Sequence, residues 1–403
     1  MFDHNRLNRI ETWMNTYVAE RKFAGCSVLI QSNGTEIFHK ASGLRNLAAS
    51  TPFQRDTIVR LYSMTKPVTS MVLMMLVEEG LVHLDAPLDA FVPEFKNMQA
   101  LIPDAVSLDQ TTPCATPALH QLLTHTSGIS YAFNPGLVPQ ALDEQKIFFG
   151  PTQGTLADMA VQLSGLPLAF QPGSRWEYSL GIDVIGRVIE VITGQSLDRV
   201  FQERIFDPLG MRDTGFIIPD ASLDRFANLY TPLAGNAMDL NASSTGGDPL
   251  RLADDAENSQ LRRTTLFSGG GGLVGTLDDF MAFSECMHSG QAADGTRLVS
   301  PATLDFMMQN HLAGDIASMG PSSFAEQPME GMGFGIGGAV VLDAARSRTP
   351  SNVGDFSWGG MASTFFWVDR VRGFSVVFLT QLSPSSSYPA RAQLKALVHG
   401  ALV

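Results

Sequence analysis

Ser63, Met64, Thr65 and Lys66 form an S-x-x-K tetrad at the start of an apolar segment, MTKPVTSMVLMMLVEEG. Pro67 fits the first turn of a helix, where its missing N–H would have no partner, so we expect a helix that begins near Ser63. Residues three apart share a helix face, which brings the Lys66 ammonium within reach of the Ser63 hydroxyl. A serine hydroxyl becomes a useful nucleophile when a neighbouring base takes its proton. The tetrad therefore predicts nucleophilic catalysis by Ser63 with Lys66.

Tyr178 stands between the loop segment QPGSR and a helical pattern that runs from Ile182 to Ile192. A side chain at such a junction can reach a cleft, and a phenol becomes a usable base where a cation such as Lys66 favours the phenolate. Short motifs also occur by chance. Taken singly, Ser63 is better interpreted as a helix-capping serine and Tyr178 as a structural tyrosine.

His125 is a further candidate for acid–base chemistry, because histidine titrates near neutral pH. A Ser-His-Asp assignment has no support, since the chain contains no G-x-S-x-G elbow. We interpret His125 as a histidine that stabilises a turn.

Trp358, Gly359 and Gly360 precede Met361 and a predicted strand from Ala362 to Asp369. Paired glycines at a strand start let a ligand approach the backbone closely. We expect an N–H of this strand, taken as an edge strand, to act as an oxyanion donor together with the free N–H groups at the start of the nucleophile's helix.

Sheet-forming segments lie at both ends of the chain. CSVLIQSNGTEIFHKASG contains Asn33-Gly34, a pair typical of a tight hairpin, and the C-terminal GGAVVLD, ASTFFWVD and FSVVFLTQ are rich in β-branched and aromatic residues. We predict an α+β fold in which residues 1–84 and 263–403 form an α/β lobe with an antiparallel sheet flanked by helices. Residues 85–262 form a mostly helical lobe, and the active site lies in the cleft between the lobes. The glycine run from Gly269 to Gly272 is expected to cross back near that cleft.

The composition excludes several classes of function. The 403 residues carry 27 Lys plus Arg against 40 Asp plus Glu, and a net charge of -13 disfavours nucleic acid and anionic lipid as partners. Cys26, Cys114 and Cys286 are widely spaced and odd in number, which indicates neither a disulfide framework nor a metal site. The N-terminal segment lacks the apolar core of a signal peptide, and no apolar run approaches the ~20 residues of a membrane span. We expect a cytoplasmic protein that uses no cofactor and acts on a small molecule.

Seven segments, in the same order along the chain, resemble the serine β-lactamase and penicillin-binding-protein superfamily, specifically its class C-like branch and the related family VIII carboxylesterases. The segments are SMTK (63–66), GLVHLDAPLDAFVPEF (80–95), LLTHTSGI (122–129), QPGSRWEYSLGIDVIGRVIEVITG (171–194), FDPLGMRDTGF (206–216), GGGGLVGTLDDF (269–280) and WGG (358–360). The resemblance implies a β-lactamase/transpeptidase-like fold with Ser63 as the acylated nucleophile. It implies Lys66 and Tyr178 as the pair that moves protons, with either as the base, and the N–H groups of Ser63 and Met361 as the oxyanion hole.

Two departures from the class C pattern bear on the substrate. Leu180 stands where those enzymes have the Asn of Y-x-N, and Trp358 stands at the place of their K-T-G-type cation. An apolar, neutral wall suits uncharged esters better than anionic β-lactams or peptides. We therefore expect a carboxylesterase for short-chain or aryl esters, with β-lactamase, D-amino-acid peptidase, acyltransferase and non-catalytic binding as alternatives. The expected substrate-binding residues are Trp358, Gly359, Gly360, Tyr131 and Leu180.

Overall fold

The computed structural model of the protein describes residues 2–148, 150–239, 242 and 249–403. The α-helices are α1 (His4–Ala19), α2 (Thr65–Glu78), α3 (Leu119–Leu123), α4 (Leu137–Glu144), α5 (Leu156–Ser164), α6 (Gly181–Thr193), α7 (Leu197–Phe201), α8 (Asp207–Leu209), α9 (Leu277–Ser289), α10 (Pro301–Met307), α11 (Ile316–Met319) and α12 (Ala390–His399). A π-helical turn, Gln202–Phe206, joins α7 to α8. None of the helices in these ranges combines the length and the apolar character of a membrane span.

The strands are β1 (Gly25–Ser32), β2 (Thr35–Asn46), β3 (Thr51–Pro52), β4 (Val59–Arg60), β5 (Gln99–Leu101), β6 (Thr111–Pro113), β7 (Leu229–Thr231), β8 (Arg251–Asp254), β9 (Val274–Gly275), β10 (Ser323–Phe324), β11 (Gln327–Pro328), β12 (Met332–Phe334), β13 (Ala339–Val341), β14 (Phe356–Gly359), β15 (Phe365–Asp369) and β16 (Phe374–Thr380).

One eight-stranded antiparallel sheet is built from both ends of the chain, in the order β12-β13-β14-β15-β16-β1-β2-β3. β16 pairs with β1, so that Cys26 lies opposite Thr380 and Ser32 opposite Phe374. The predicted α+β fold with an antiparallel sheet from both termini is confirmed. The predicted hairpin is also present, because Asn33 and Gly34 join β1 to β2 with φ values of 50° and 73°.

Both faces of the sheet are covered by helices. Along β16, Val376 and Phe378 belong to the core beneath α1 and α12, whereas Val377 and Leu379 belong to the larger core on the other face. This alternation follows the two-residue period of a strand and explains why every residue of β16 is buried. α9 packs on the second face, against β16, β1 and β15.

Residues 85–262 contain α3 to α8, as the helical patterns predicted. They also contain the strand pairs β5–β6 and β7–β8, which the helix-and-loop prediction did not include. These strands have only three or four residues each, too few for an alternating pattern to be visible in the sequence. β4 ends shortly before Ser63, and β9 begins shortly after the glycine run. Their pairing brings the end of the glycine run beside the segment that leads to Ser63.

Candidate active site

Ser63 lies in a 3-10 turn, Tyr62–Met64, that leads directly into α2. The predicted helix start near Ser63 is therefore confirmed. Tyr62 adopts a φ of 46°, a conformation that is uncommon for a residue with a side chain and that is concentrated at functional sites. Ser63 remains half-buried and faces a cavity.

Lys66 is fully buried one helical turn from Ser63. Its Nζ lies 3.2 Å from Ser63 Oγ, 3.0 Å from the Tyr131 hydroxyl and 2.6 Å from the Gly270 carbonyl oxygen. Burial lowers the pKa of Lys66 to about 7, and the negative charge of Asp183 opposes this decrease. A substantial fraction of the amine is thus unprotonated at neutral pH.

The glycine run crosses directly behind Lys66, as predicted. The Gly269 carbonyl accepts a 2.5 Å hydrogen bond from Thr69 of α2, and the next carbonyl, that of Gly270, accepts from Lys66. A Cβ atom added at Gly270 would lie 2.2 Å from Asp183 Oδ2. A side chain at this position would therefore push the carboxylate away from the lysine.

Asp183, in the first turn of α6, was not identified from the sequence. It is fully buried, and its Oδ1 accepts hydrogen bonds from the Ser268 hydroxyl and, at 3.0 Å, from the Gly270 N–H. Burial raises the pKa of Asp183, whereas the charge of Lys66 lowers it. A charged residue on an otherwise apolar helix face was the available signal, because buried carboxylates are rare unless they are paired.

The Tyr178 hydroxyl also lies at hydrogen-bond distance from Ser63. The Trp358 Nε1–H donates to this hydroxyl at 3.2 Å, and Lys66 Nζ lies 4.5 Å from the centre of the Tyr178 ring. Burial raises the pKa of Tyr178 well above its usual value, although hydrogen bonding with Ser63 and Trp358 acts in the opposite direction. The phenol is therefore protonated at neutral pH.

His125 supports Tyr178 rather than Ser63. It lies in a turn with φ 57°, and its Nδ1 accepts a 3.2 Å hydrogen bond from the Ser179 N–H and lies 3.0 Å from the Ser179 hydroxyl. The imidazole packs edge-on against the Tyr178 ring at 4.7 Å between centroids. Burial and the charge of Lys66 hold the pKa of His125 well below its usual range. A neutral, turn-stabilising histidine agrees with the sequence interpretation.

The Trp358-Gly359-Gly360 segment differs from its prediction in one respect. Trp358 and Gly359 end β14, and the predicted strand from Ala362 to Asp369 is present as β15, which lies between β14 and β16 and is not an edge strand. Gly360 begins the turn to β15, and its N–H donates to the Thr364 carbonyl at 2.7 Å. β14 has only four residues and ends in glycine, so its strand pattern in the sequence is weak. The longer apolar run that follows gave the stronger strand signal, and the strand was predicted there.

The backbone N–H groups of Ser63 and Met361 both border the cavity. Within the described residues, neither group donates a hydrogen bond to the protein. A Cβ atom at Gly360 would lie 2.2 Å from the Leu61 carbonyl oxygen, so only glycine lets these two segments approach so closely. This pair of free donors is available to an oxyanion.

The cavity is walled mainly by aromatic side chains, and it includes four of the five predicted substrate-binding residues. They are Tyr131, Trp358, Gly359 and Gly360, joined by Phe133, Phe324, Phe365 and Phe366. Leu180 is not in the lining. It stands at the N-cap of α6 with its side chain fully buried in the core, so its assignment to substrate binding was wrong.

The predicted neutral wall also needs correction, because Arg391 and Lys395 of α12 reach the cavity lining. Arg391 Nη1 binds Glu326 Oε2 at 3.0 Å, and both side chains are nearly buried. The ion pair neutralises the guanidinium, whereas the Lys395 amine remains in the lining. No local sequence signal connects Arg391 with Glu326, since the two residues are distant along the chain.

Among the described residues, one group of side chains has the spacing of a metal site, namely Asp355, Asp369 and His399. None of the three belongs to the set around Ser63. The groups around Ser63 include three hydroxyls, those of Ser63, Tyr131 and Tyr178, together with the Lys66 amine and two free N–H groups, and they can perform acyl transfer.

Comparisons with known proteins show the family of the chain. The family model described as Beta-lactamase matches residues 10–400. Esterase EstB of Burkholderia gladioli is 32% identical over 92% of this chain and 89% of its own, and lovastatin esterase of Penicillium rubens is 31% identical over 84% of each chain. The structure of EstCE1, titled a hydrolase with promiscuous acyltransferase activity, is 27% identical, covers 98% of this chain and 99% of its own, and has a TM-score of 0.81. The chain belongs to the Beta-lactamase family.

Proposed function

We propose that the protein is a serine carboxylesterase that hydrolyses short-chain or aryl carboxylic esters through an acyl-enzyme on Ser63. The observation that carries the proposal is the environment of the Lys66 amine. A neutral amine has two hydrogens and one lone pair. The Gly270 carbonyl can only accept a hydrogen bond, and the Tyr131 hydroxyl is the second acceptor, so the lone pair is left for Ser63 Oγ at 3.2 Å.

Lys66 is therefore the base in the acylation step. Ser63 Oγ attacks the ester carbonyl carbon while its proton moves to Lys66 Nζ, and the carbonyl oxygen becomes an oxyanion held by the N–H groups of Ser63 and Met361. A pKa of about 7 leaves a substantial fraction of the amine unprotonated at neutral pH.

Tyr178 is the acid that protonates the leaving alcohol. The bond between the carbonyl carbon and the alcohol oxygen breaks, the Tyr178 phenol gives its proton to that oxygen, and the phenolate recovers a proton from the Lys66 ammonium. Water then attacks the acyl-enzyme by the reverse sequence of proton transfers and releases the carboxylic acid. The raised pKa of Tyr178 supports this assignment, because the phenol carries the proton that it must donate.

The cavity supports a small, uncharged acyl group. Its volume is about 50 Å³, its walls are largely aromatic, and its guanidinium is paired with a carboxylate. EstB and lovastatin esterase are named as esterases, which favours ester cleavage over lactam cleavage. EstCE1 supports acyl transfer as a second candidate, in which an alcohol rather than water clears the acyl-enzyme.

Hydrolysis of p-nitrophenyl butyrate by the wild type and by Ser63→Ala tests the proposal. We expect loss of activity in Ser63→Ala and full activity in a matched control, Ser164→Ala, whose hydroxyl only caps the end of α5. Equal activity in Ser63→Ala and the wild type would refute the assignment. Turnover of a cephalosporin or a D-alanyl peptide at a rate similar to that of the ester would favour a β-lactamase or peptidase. Failure of a fluorophosphonate probe to label Ser63 would favour a non-catalytic protein.

A further inference from the structure

A second cleft adjoins the Ser63 cavity, and we call it the alcohol cleft. The two spaces share Phe133, Tyr178 and Phe324 as common walls. The alcohol cleft is much larger, with a volume of about 600 Å³. It is also more polar, because its lining includes Asn134, Arg175, Glu177, Ser323 and Ser386.

The proposed reaction indicates which part of the substrate occupies this cleft. The oxygen of the leaving alcohol must lie at the Tyr178 hydroxyl, since this group protonates it. The rest of the alcohol must then extend past Tyr178, away from the carbonyl carbon held at Ser63. The alcohol cleft is lined by Tyr178 and adjoins the Ser63 cavity, so it offers the space for this part of the alcohol.

Glu177 is a carboxylate in the lining of this cleft. Its side chain is 18% exposed, and its backbone N–H is fixed by a 2.9 Å hydrogen bond to the His125 carbonyl. One carboxylate oxygen, Oε1, accepts from the Ser130 hydroxyl. The other, Oε2, forms an ion pair with Arg175 at 3.9 Å, which is longer than a hydrogen bond. This second oxygen is an acceptor available to a ligand hydroxyl.

The surroundings of Glu177 combine apolar faces with further polar atoms. The Phe324 ring meets the Tyr178 ring edge-on at 4.9 Å, which leaves apolar surface for a carbon skeleton. Asn134 Nδ2 is occupied by the Tyr178 carbonyl at 2.8 Å and by the Ser130 hydroxyl at 3.0 Å. The amide is therefore held rigidly beside the carboxylate, and rigid polar groups select ligands better than mobile ones.

We propose that the alcohol cleft binds the alcohol half of the ester, and that the preferred alcohol is uncharged and carries free hydroxyl groups, as in a monoester of a polyol. This inference rests on the proposed function. Glu177 accepts a hydrogen bond from one of those hydroxyls and acts as a specificity residue. An acceptor alcohol that attacks the acyl-enzyme occupies the same cleft, because transfer to an alcohol is the reverse of alcohol release.

The test compares propyl butyrate with glycerol 1-monobutyrate, which share the acyl group and a three-carbon alcohol and differ in two hydroxyls. We expect the wild type to favour the glycerol ester in kcat/KM by about tenfold, the effect of one hydrogen bond to a charged group. Glu177→Ala should bring the ratio close to one, and Glu177→Gln should give an intermediate ratio. Glu190→Ala, which removes an equally shielded carboxylate on α6, should keep the wild-type ratio.

A second measurement separates recognition from leaving-group acidity. During p-nitrophenyl butyrate turnover, glycerol and 1-propanol at equal concentration compete with water for the acyl-enzyme. A more acidic alcohol leaves more easily but attacks less readily, so acidity alone cannot favour glycerol in both directions. We expect glycerol to capture more acyl groups than 1-propanol in the wild type, with this preference lost in Glu177→Ala.

A wild-type ratio near one, or a ratio unchanged in Glu177→Ala that melts like the wild type, overturns the inference. If Glu177→Ala does not fold, an unchanged ratio in Glu177→Gln has the same meaning. Absence of p-nitrophenol release from the wild type would instead contradict the proposed esterase function. The two failures are thus distinguishable.

Discussion

The indole Nε1–H of Trp358 donates a hydrogen bond to the hydroxyl oxygen of Tyr178 at 3.2 Å. Trp358 is part of the cavity wall, and Tyr178 is the proposed acid. The contact therefore links the substrate-binding wall to the mechanism. An indole N–H orients the phenol without adding a full charge beside it. It favours the phenolate, but burial outweighs it, and Tyr178 therefore stays protonated.

Replacement of Tyr178 by Phe tests the acid role of the hydroxyl. The ring should keep its packing, while kcat/KM for an alkyl ester such as propyl butyrate, which reports acylation alone, should fall by about 10² to 10⁴-fold. The loss should be smaller for p-nitrophenyl butyrate, because p-nitrophenolate leaves without protonation. Tyr17→Phe is the control, since it removes a hydroxyl that binds Gln393 in the N-terminal core, away from Ser63. Equal losses on the two esters would argue against a general acid.

The pH dependence of kcat/KM tests the base. Because Lys66 must be unprotonated to accept the Ser63 proton, activity should fall as the pH decreases through the lysine pKa of about 7. Below that value, kcat/KM should decrease about tenfold per pH unit. Samples incubated at each pH and assayed at pH ~8 control for unfolding. A profile that is flat from about pH 5 to pH 9 would contradict the role of Lys66.

Asp183→Asn should shift the pH at which kcat/KM falls on the acidic side of the profile, which we call the acidic limb. The negative charge of Asp183 raises the pKa of Lys66, so its removal lowers that pKa and moves the limb to lower pH. Asp279→Asn removes another shielded carboxylate, which binds the Asp213 N–H and the Thr214 hydroxyl, and should leave the limb in place. A merely structural role for Asp183 would reduce stability in thermal melts without moving the limb.

Gly360→Ala should damage the oxyanion hole. The added Cβ would meet the Leu61 carbonyl oxygen at 2.2 Å, and the backbone must shift to relieve the contact, which displaces the Met361 N–H. Loss of one oxyanion donor costs about 10² to 10³-fold in kcat. Gly235→Ala, at an exposed glycine with nothing within 4 Å of the new Cβ, should be neutral. A kcat for Gly360→Ala equal to that of Gly235→Ala would show that the Met361 N–H is not needed.

Much of the fold and the central set of site residues could be predicted from local patterns. The Asn33-Gly34 turn and the helix start at Ser63 depend on backbone preferences of neighbouring residues, and both are present. The structure brings Lys66 and Tyr178 to Ser63, as their motifs led us to expect. The division of the chain at residues 84 and 262 into two lobes stays a prediction.

The residues that were missed make contacts between distant segments. Asp183 of α6 accepts a hydrogen bond from the Gly270 N–H of the glycine run, and its charge raises the pKa of Lys66. Arg391 of α12 forms an ion pair with Glu326. Such pairs have no common motif, so their meeting depends on the packing of whole helices. Leu180 shows the opposite error. Its position in a catalytic motif suggested contact with the substrate, but the apolar side chain is buried in the core.

Detection of the acyl-enzyme tests the central claim most directly. The protein is mixed with p-nitrophenyl butyrate, quenched in acid within the first turnovers and digested for peptide mass analysis. We predict the added mass of one butyryl group on the peptide that contains Ser63, and no such adduct in Ser63→Ala. A butyryl group on another residue, or release of p-nitrophenol with an unmodified Ser63 peptide throughout, would contradict the account.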